Sequence, residues 1–416
     1  MSPARSVVAI LLVLSALSLG QQTANRSSGD DLLQAALTAP GSTSFHLKAV
    51  ITGRDDGDSG DVEMYWVNPS KWRRTINSPV FSQTLVVNGT GISEQDSDDY
   101  LPLSLQTLLI AMTDPQPLID SLRPRDRFET KANGGTKPPE ICAHLNLQPS
   151  SPGAEMMCHQ GPYKDMETIG APGHNVSFAE YQDFKGKKVA RLLISSTRMV
   201  RVTELTELKK PDDKMFAIES PTPKEKQLRV ETLQETELRS HALNALDIIW
   251  PQPLDGPTTG PSTYYVSLDR DGKIRETVTI QAANERANES AVRQIEKWKF
   301  APVVKDGLPI QAEGILTFTT DTRASGPSDP LSDAEVRKLA SNISEPIFPT
   351  GTASGAVCRV RVAIDSDGEL IEAIAGEGTP GLFSPCYHAI QMWQFHPIME
   401  GGKPRPYRGE IEFKAP

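Results

Sequence analysis

Alternation with a period of two dominates the first half of the chain. Phe45, Leu47, Ala49 and Ile51 alternate with other residues, as do Val62, Met64 and Trp66. That spacing puts every apolar side chain on one face of a strand and leaves the other face free for solvent. Leu85, Val86 and Val87 run into Asn88-Gly89, a pair suited to a tight hairpin turn. Residues 178–184, 189–194 and 199–208 form a later meander that turns at Lys185-Gly186. Residues 101–112 supply the one good helix in this part. The pattern therefore predicts, for residues 31–208, a long curved antiparallel sheet with a helix against it.

Residues 209–236 carry Pro211, Pro221 and Pro223 among charges and read as a linker. Beyond them the chain repeats itself. Leu268-Asp269-Arg270-Asp271-Gly272 returns as Ile364-Asp365-Ser366-Asp367-Gly368, and Trp298-Lys299-Phe300-Ala301-Pro302 returns as Trp393-Gln394-Phe395-His396-Pro397. Gly307 answers to Gly402 and Phe318 to Phe413, with an offset that slips by a single residue over all these landmarks. Each copy reads as a strand, an Asp-Gly hairpin, a second strand, a helix and a last strand. In copy one, Ala291, Ile295 and Trp298 fall on one helical face. The copies occupy residues 237–321 and 331–416, and the fold class is α+β: a half-barrel-like antiparallel sheet followed by two small β-β-α-β modules.

The repeat also constrains the cysteines. Cys358 aligns with Ser262 and Cys386 with Ala291, so both are absent together from copy one. Each shares the inward face of its own element in copy two, which predicts a strand-to-helix disulfide. Cys142 and Cys158 suit a second bridge, with free thiols and a zinc set of Cys142, His144, Cys158 and His159 as the competing readings. An even cysteine count fits an exported chain. So does the N-terminus, where Arg5 precedes an apolar run over residues 7–19, and Ser18 and Gly20 suit a signal-peptide cut after residue 20. The alternative is an uncleaved inner-membrane anchor.

Composition narrows the partners. Hydrophobic content of 38% and charged content of 23% are those of a globular protein, and a net charge of -10 argues against nucleic acid. The chemistry of catalysis is not legible. No serine sits on a glycine-flanked elbow, no histidine pair has metal-binding spacing, and no phosphate-cradling glycine loop occurs. Asp269, Asp271, Asp365 and Asp367 are explained by hairpin turns rather than calcium, and Trp298 and Trp393 by core packing. The expectation is a protein without enzymatic activity, metal or other cofactor.

The order strand, Asp-Gly turn, strand, helix ending in Trp-x-Phe-x-Pro, Gly, and strand ending in Phe resembles the TonB C-terminal domain in both copies. Members of that family sit in the periplasm, and the best-known pass inner-membrane energy to outer-membrane receptors by pairing a sheet edge with a receptor peptide. The resemblance implies peptide-binding edges on the last strands: Ile310, Ala312, Gly314 and Leu316 in copy one, and Tyr407, Gly409, Ile411 and Phe413 in copy two. The chain departs from that family in carrying a folded domain where the transducer has a Pro-rich spacer. The aromatic-Pro pair appears loosely, as Trp250-Pro251 and Phe348-Pro349, and Gly/Thr/Ser/Pro-rich stretches replace the small helix expected after it. The N-terminal part, through residues 62–73 and 178–188, resembles the outer-membrane lipoprotein-sorting carriers, whose half-barrel shelters acyl chains.

Three functional expectations follow. The first is a periplasmic binding protein, an accessory to outer-membrane transport, that takes peptides of receptors or other envelope proteins by strand addition. The second is a carrier of lipid or another apolar ligand in the N-terminal half-barrel. The third is a structural envelope protein forming a homodimer through its edge strands.

Overall fold

The computed structural model describes residues 44–53, 59–113, 128–133, 140–145, 155–160, 168–169, 176–185, 187–195, 198–244, 246–323 and 325–416. The signal segment and the turn at Gly186 lie outside them. In chain order the first part contributes β1 (Phe45–Gly53), β2 (Ser59–Asn68), β3 (Lys71–Asn77), β4 (Gln83–Asn88), β5 (Gly91–Asp96) and α1 (Leu103–Thr113). There follow β6 (Phe128–Asn133), β7 (Glu140–Leu145), β8 (Glu155–Gln160), β9 (Thr168–Ile169), β10 (Val176–Ala179), β11 (Gln182–Phe184), β12 (Lys187–Val189), β13 (Leu192–Ser195) and β14 (Arg198–Glu207).

All of these strands except the separate hairpin β11–β12 join one open sheet, ordered β5-β4-β3-β2-β1-β14-β13-β10-β9-β8-β7-β6. Two meanders run outward from the pair β1–β14, and the neighbours along the sheet are antiparallel where their register is described. The register shifts between Lys48 and Ala49 against β14, and between Trp66 and Asn68 against β3. Such bulges bend a strand and raise its twist, which is how a sheet this wide curves into a half-barrel.

The second part holds β15 (Val230–Leu233), α2 (Glu235–Ser240), β16 (Thr259–Leu268), β17 (Ile274–Gln281), α3 (Glu285–Ile295), β18 (Val303–Lys305) and β19 (Leu308–Asp321). Then come α4 (Asp333–Lys338), β20 (Ala340–Ser341), β21 (Val357–Ile364), β22 (Leu370–Ala375), α5 (Phe383–Gln391), β23 (Gln394–Phe395), β24 (Ile398–Glu400), β25 (Lys403–Arg405) and β26 (Tyr407–Lys414). The first long strand is central in both modules: the sheets are ordered β15-β19-β16-β17 and β22-β21-β26. Stretches read as linker do more than connect. Phe216 is fully buried, and β15 extends the first module's sheet parallel to β19.

Contacts divide the described chain into two compact units. One holds the residues up to Gln234 with Ser267–Val278 and Ala301–Gly314; the other holds Glu235–Val266, Thr279–Phe300 and Ile315–Pro416.

In copy two the two motifs that reveal the repeat are one piece of architecture. Asp365 Oδ1 accepts the N–H groups of Asp367 and Glu369, as Asp269 Oδ1 accepts those of Asp271 and Lys273. The aspartates thus build the turns, as expected. Gly368 has φ +88°, and a Cβ there would lie 2.5 Å from the Phe395 carbonyl oxygen, so the Asp-Gly turn of copy two needs glycine to sit against its Trp-x-Phe-x-Pro segment. Cys358 on β21 and Cys386 on α5 form the expected disulfide, with Cα atoms 6.8 Å apart. In copy one the aligned Ser262 bonds Thr320 Oγ1 at 2.7 Å and accepts the Ala283 N–H.

Candidate functional site

The half-barrel carries opposite characters on its two faces. On one, Phe45, Leu47, Ala49 and Ile51 of β1, Val62 and Met64 of β2, Trp72 and Ile76 of β3, Val176 and Phe178 of β10, and Val200 and Val202 of β14 are buried in a common cluster. On the other, His46 lies 2.8 Å from Glu63 and 3.4 Å from Glu204, and Lys48 lies 3.7 Å from each. Period-two alternation produces this directly, since a side chain's parity fixes its face.

The helix that meets the apolar face is mostly apolar, with Ser104 and Gln106 as its half-buried polar residues. Leu103, Leu105, Leu108, Leu109, Ala111 and Met112 are all buried, and together they span about two thirds of the helical circumference. Thr107 turns its hydroxyl onto the Leu103 carbonyl. A helix with so wide an apolar surface is stable only when most of that surface is packed. Within that core the Trp72 indole is 3% exposed, yet its Nε1–H has no acceptor among the described residues. A buried donor left unpaired costs about 1–3 kcal/mol.

Polar groups gather on the same face of β3–β5. Arg74 Nε donates to Gln83 Oε1 at 3.1 Å, and Gln83 Nε2 donates to Glu94 at 3.1 Å and Asp96 at 2.9 Å. Burial holds the Arg74 guanidinium down to about 10. Burial, with Asp96 beside it, pushes the Glu94 carboxyl up to about 7, against the lowering pull of the Leu228 N–H, Arg74 and Arg270. The sign follows from linkage: a carboxyl raised in the fold binds its proton more tightly there than in the unfolded chain. Its contribution is fully present below pH 4.5 and is lost as pH rises towards about 7. The shift corresponds to about 3 kcal/mol. We expect urea midpoints to fall across that window, and Glu94→Gln to flatten the fall. An unchanged slope in the variant would remove Glu94 as its source.

The start of α1 is held by polar groups of the first module. Leu103 donates its N–H to Glu276 Oε1 at 2.8 Å, and the Tyr100 hydroxyl reaches the same oxygen at 2.9 Å. Gln311 grips Leu101 from both sides, accepting its N–H at 2.9 Å and donating to its carbonyl at 2.9 Å. Burial, and then the Glu276 charge, drives the Tyr100 phenol far up, so it acts as a donor.

The edge residues expected to bind peptide do not form open edges. Ile310, Ala312, Gly314 and Leu316 are buried on β19, whose residues 311–314 pair with β15. β19 is therefore flanked on both sides, which corrects the expectation. Tyr407, Gly409, Ile411 and Phe413 are buried on β26, the outer strand of its sheet. Its outer backbone is nevertheless taken. Leu331 bonds both the Arg408 carbonyl and the Glu410 N–H, Asp333 accepts the Glu412 N–H, and Arg337 donates to the Glu412 carbonyl.

Copy one uses the same device. Glu235 accepts the Thr317 N–H, and Arg239 donates to the Thr317 carbonyl. In both copies the arginine also lies over the last strand's phenylalanine, 4.8 Å from Phe318 and 5.3 Å from Phe413. Each pair is an acid and an arginine four apart on a short helix. These helices precede the aromatic-Pro pairs instead of following them, which is why reading by resemblance missed them. The i, i+4 spacing was the available signal. With these backbone groups engaged, neither last strand offers the row of free groups that strand addition or edge-to-edge dimerisation requires.

Cys142 and Cys158 stand opposite each other in the β7–β8 register. Among the described residues no group of three or more His, Cys, Asp or Glu is placed to hold a metal ion, and no helix is long and apolar enough to cross a membrane.

Neither a family model nor a curated protein matches the chain. Among solved structures, a LolA-superfamily protein from Nitrosomonas europaea aligns with 46% of this chain and 99% of its own length, at 10% identity and a TM-score of 0.31. A DUF1329-family protein from Desulfovibrio piger aligns with 45% of this chain and 93% of its own, at 8% identity and a TM-score of 0.27. MucB aligns with 47% of this chain and 65% of its own, at 12% identity and a TM-score of 0.24. These are faint likenesses, and no property of the neighbours passes to this chain through them.

Proposed function

We propose that this is a non-enzymatic binding protein of the bacterial periplasm whose half-barrel shelters an apolar or amphiphilic ligand, an acyl chain being the simplest. One observation carries the reading. A wide apolar sheet face is met by an 11-residue helix whose buried apolar side chains cover about two thirds of its circumference. A segment so built suits a plug that lies in the cavity when it is empty and moves aside for a ligand of the same character. The Trp72 indole N–H, which has no acceptor among the described residues, adds a donor for an ester, carboxylate or phosphate oxygen. The modules are then docking units attached to the carrier. Their likeness to TonB C-terminal domains is a likeness of motif, and energy transduction has no support in the capped edges. A bridge between Cys142 and Cys158 and the three-domain division at residues 208 and 321 belong to the same proposal.

The test is native purification from a Gram-negative host, solvent extraction and lipid mass spectrometry, followed by titration with a fluorescent fatty acid. We expect a co-extracted lipid and saturable binding. Trp72→Phe should weaken the fatty acid about tenfold, the value of one buried hydrogen bond, and leave a purely hydrocarbon probe unaffected. An empty extract together with no saturable binding would end the carrier reading.

A further inference from the structure

The repeat places a glutamate four residues after each Asp-Gly turn, Glu276 in copy one and Glu372 in copy two. Both do the same thing. Glu276 accepts the N–H of Leu103, and Glu372 accepts the N–H of Leu254, each at 2.8 Å. Both leucines follow a proline, in Leu101-Pro102-Leu103 and Gln252-Pro253-Leu254. The recurrence extends to the surrounding face. Glu372 stands across from Ala363 on the central strand β21, and the side chains of Val360, Val362 and Ile364 point the other way, into the core. Ala363 and its counterpart Ser267 are fully buried, although neither belongs to the helix-covered face. What covers this outer face in copy two includes the buried Gln252 and Gly326, where a Cβ would fall 2.1 Å from the Pro406 carbonyl oxygen. Pro406 aligns with Gln311, the residue that grips Leu101 in copy one.

We propose that the outer sheet face of the module is a receptor for an extended, uncharged Leu-Pro-Leu type of polypeptide segment, filled here by the chain's own Tyr100–Leu103, and that a partner polypeptide of the same form competes for it on copy one. The recognition is chemical. Glu276 and Gln311 read the backbone on either side of the proline, and Pro102 sits between the two hooks because it has no N–H that would need an acceptor. Leu101 and Leu103 are both buried, Leu101 within the apolar cluster of the half-barrel. Because Gln311 bonds main-chain atoms, the site tolerates other residues at the first position. Copy one has both hooks, whereas copy two, with Pro406 for Gln311, keeps only the glutamate. The docked segment leads straight into α1, so a competitor would pull at the helix on the half-barrel. That last link rests on the carrier reading; the receptor site does not.

The probe is a blocked synthetic peptide with the sequence of residues 100–106, added to the full-length, ligand-free protein, with amide hydrogen exchange read by mass spectrometry. We expect the peptide to accelerate exchange across residues 101–113 at least tenfold, saturably, and a peptide with Pro and the second Leu replaced by Gly to do nothing. Glu276→Ala should reproduce the acceleration and abolish the response. Glu276→Gln and Gln311→Ala serve as milder variants should that one fail to fold. Glu372→Ala should act on residues 250–256 and leave 101–113 unchanged. Unaltered exchange at millimolar peptide in the unsubstituted protein would overturn the receptor site and reduce Glu276 to an internal tie. An absent lipid in the extraction above would leave this result untouched, so the two readings fail separately.

Discussion

Replacing Trp393 by alanine is expected to destabilise the second module by about 4 kcal/mol, the usual cost of emptying a buried indole site. The indole is 5% exposed and packs between Phe395 and Phe413, with ring centroids 5.9 and 5.8 Å away. Arg337 covers it at 5.1 Å, and its Nε1–H is satisfied by the Ser344 carbonyl at 3.0 Å. The variant loses contacts on every side and strands that carbonyl as well. Urea unfolding followed by circular dichroism measures the loss, and Trp393→Phe should recover more than half of it. A variant that lost under 1 kcal/mol but no longer bound a ligand would make the indole a binding platform and refute its structural role.

Removing the Cys358–Cys386 bridge, by Cys358→Ala with Cys386→Ala, should cost about 3–4 kcal/mol. The bond closes a loop of sequence separation 28, and its main effect is to restrict the unfolded chain. Both positions are buried, so alanine adds a small packing loss without a polar penalty. Compared in the same reductant, which opens a Cys142–Cys158 bridge in both, the native chain and the double variant should unfold at the same urea concentration. A midpoint that did not move in either would mean that the bridge ties residues already held by their surroundings.

Much of this architecture was legible because parity and period are properties of neighbouring residues. The buried set Phe45, Leu47, Ala49 and Ile51 could be read from alternation alone, and residues 101–112 from an apolar run too dense for a strand. The duplicated module could be read because its turn and its Trp-x-Phe-x-Pro segment recur at nearly the same spacing, and in copy two the two are packed on each other. Strands β6 to β9 escaped, since segments such as Phe128–Asn133 mix polar and apolar residues without strict alternation. What could not be read at all was strand order. Whether Ile310 and Tyr407 lie on open edges depends on where β15 and Leu331 are placed, and no local pattern encodes that. The clamp at Glu276 was hidden for the same reason: its partners, Tyr100 and Leu103, lie 176 and 173 residues away.

The short acid–arginine helices have a consequence for the chain's solubility. Two similar modules in one polypeptide are held at a high effective concentration by the chain itself, the circumstance in which tandem repeats misassemble and exposed strands seed cross-β stacking. In each copy the helix that blocks this comes from far along the chain, 82 residues from the amide it holds in one and 79 in the other. The protection therefore arrives only when the module has closed on itself. A half-folded copy would be the aggregating species and a finished one inert, so concentrated folded protein should stay clear of fibres while slow refolding at the same concentration should not.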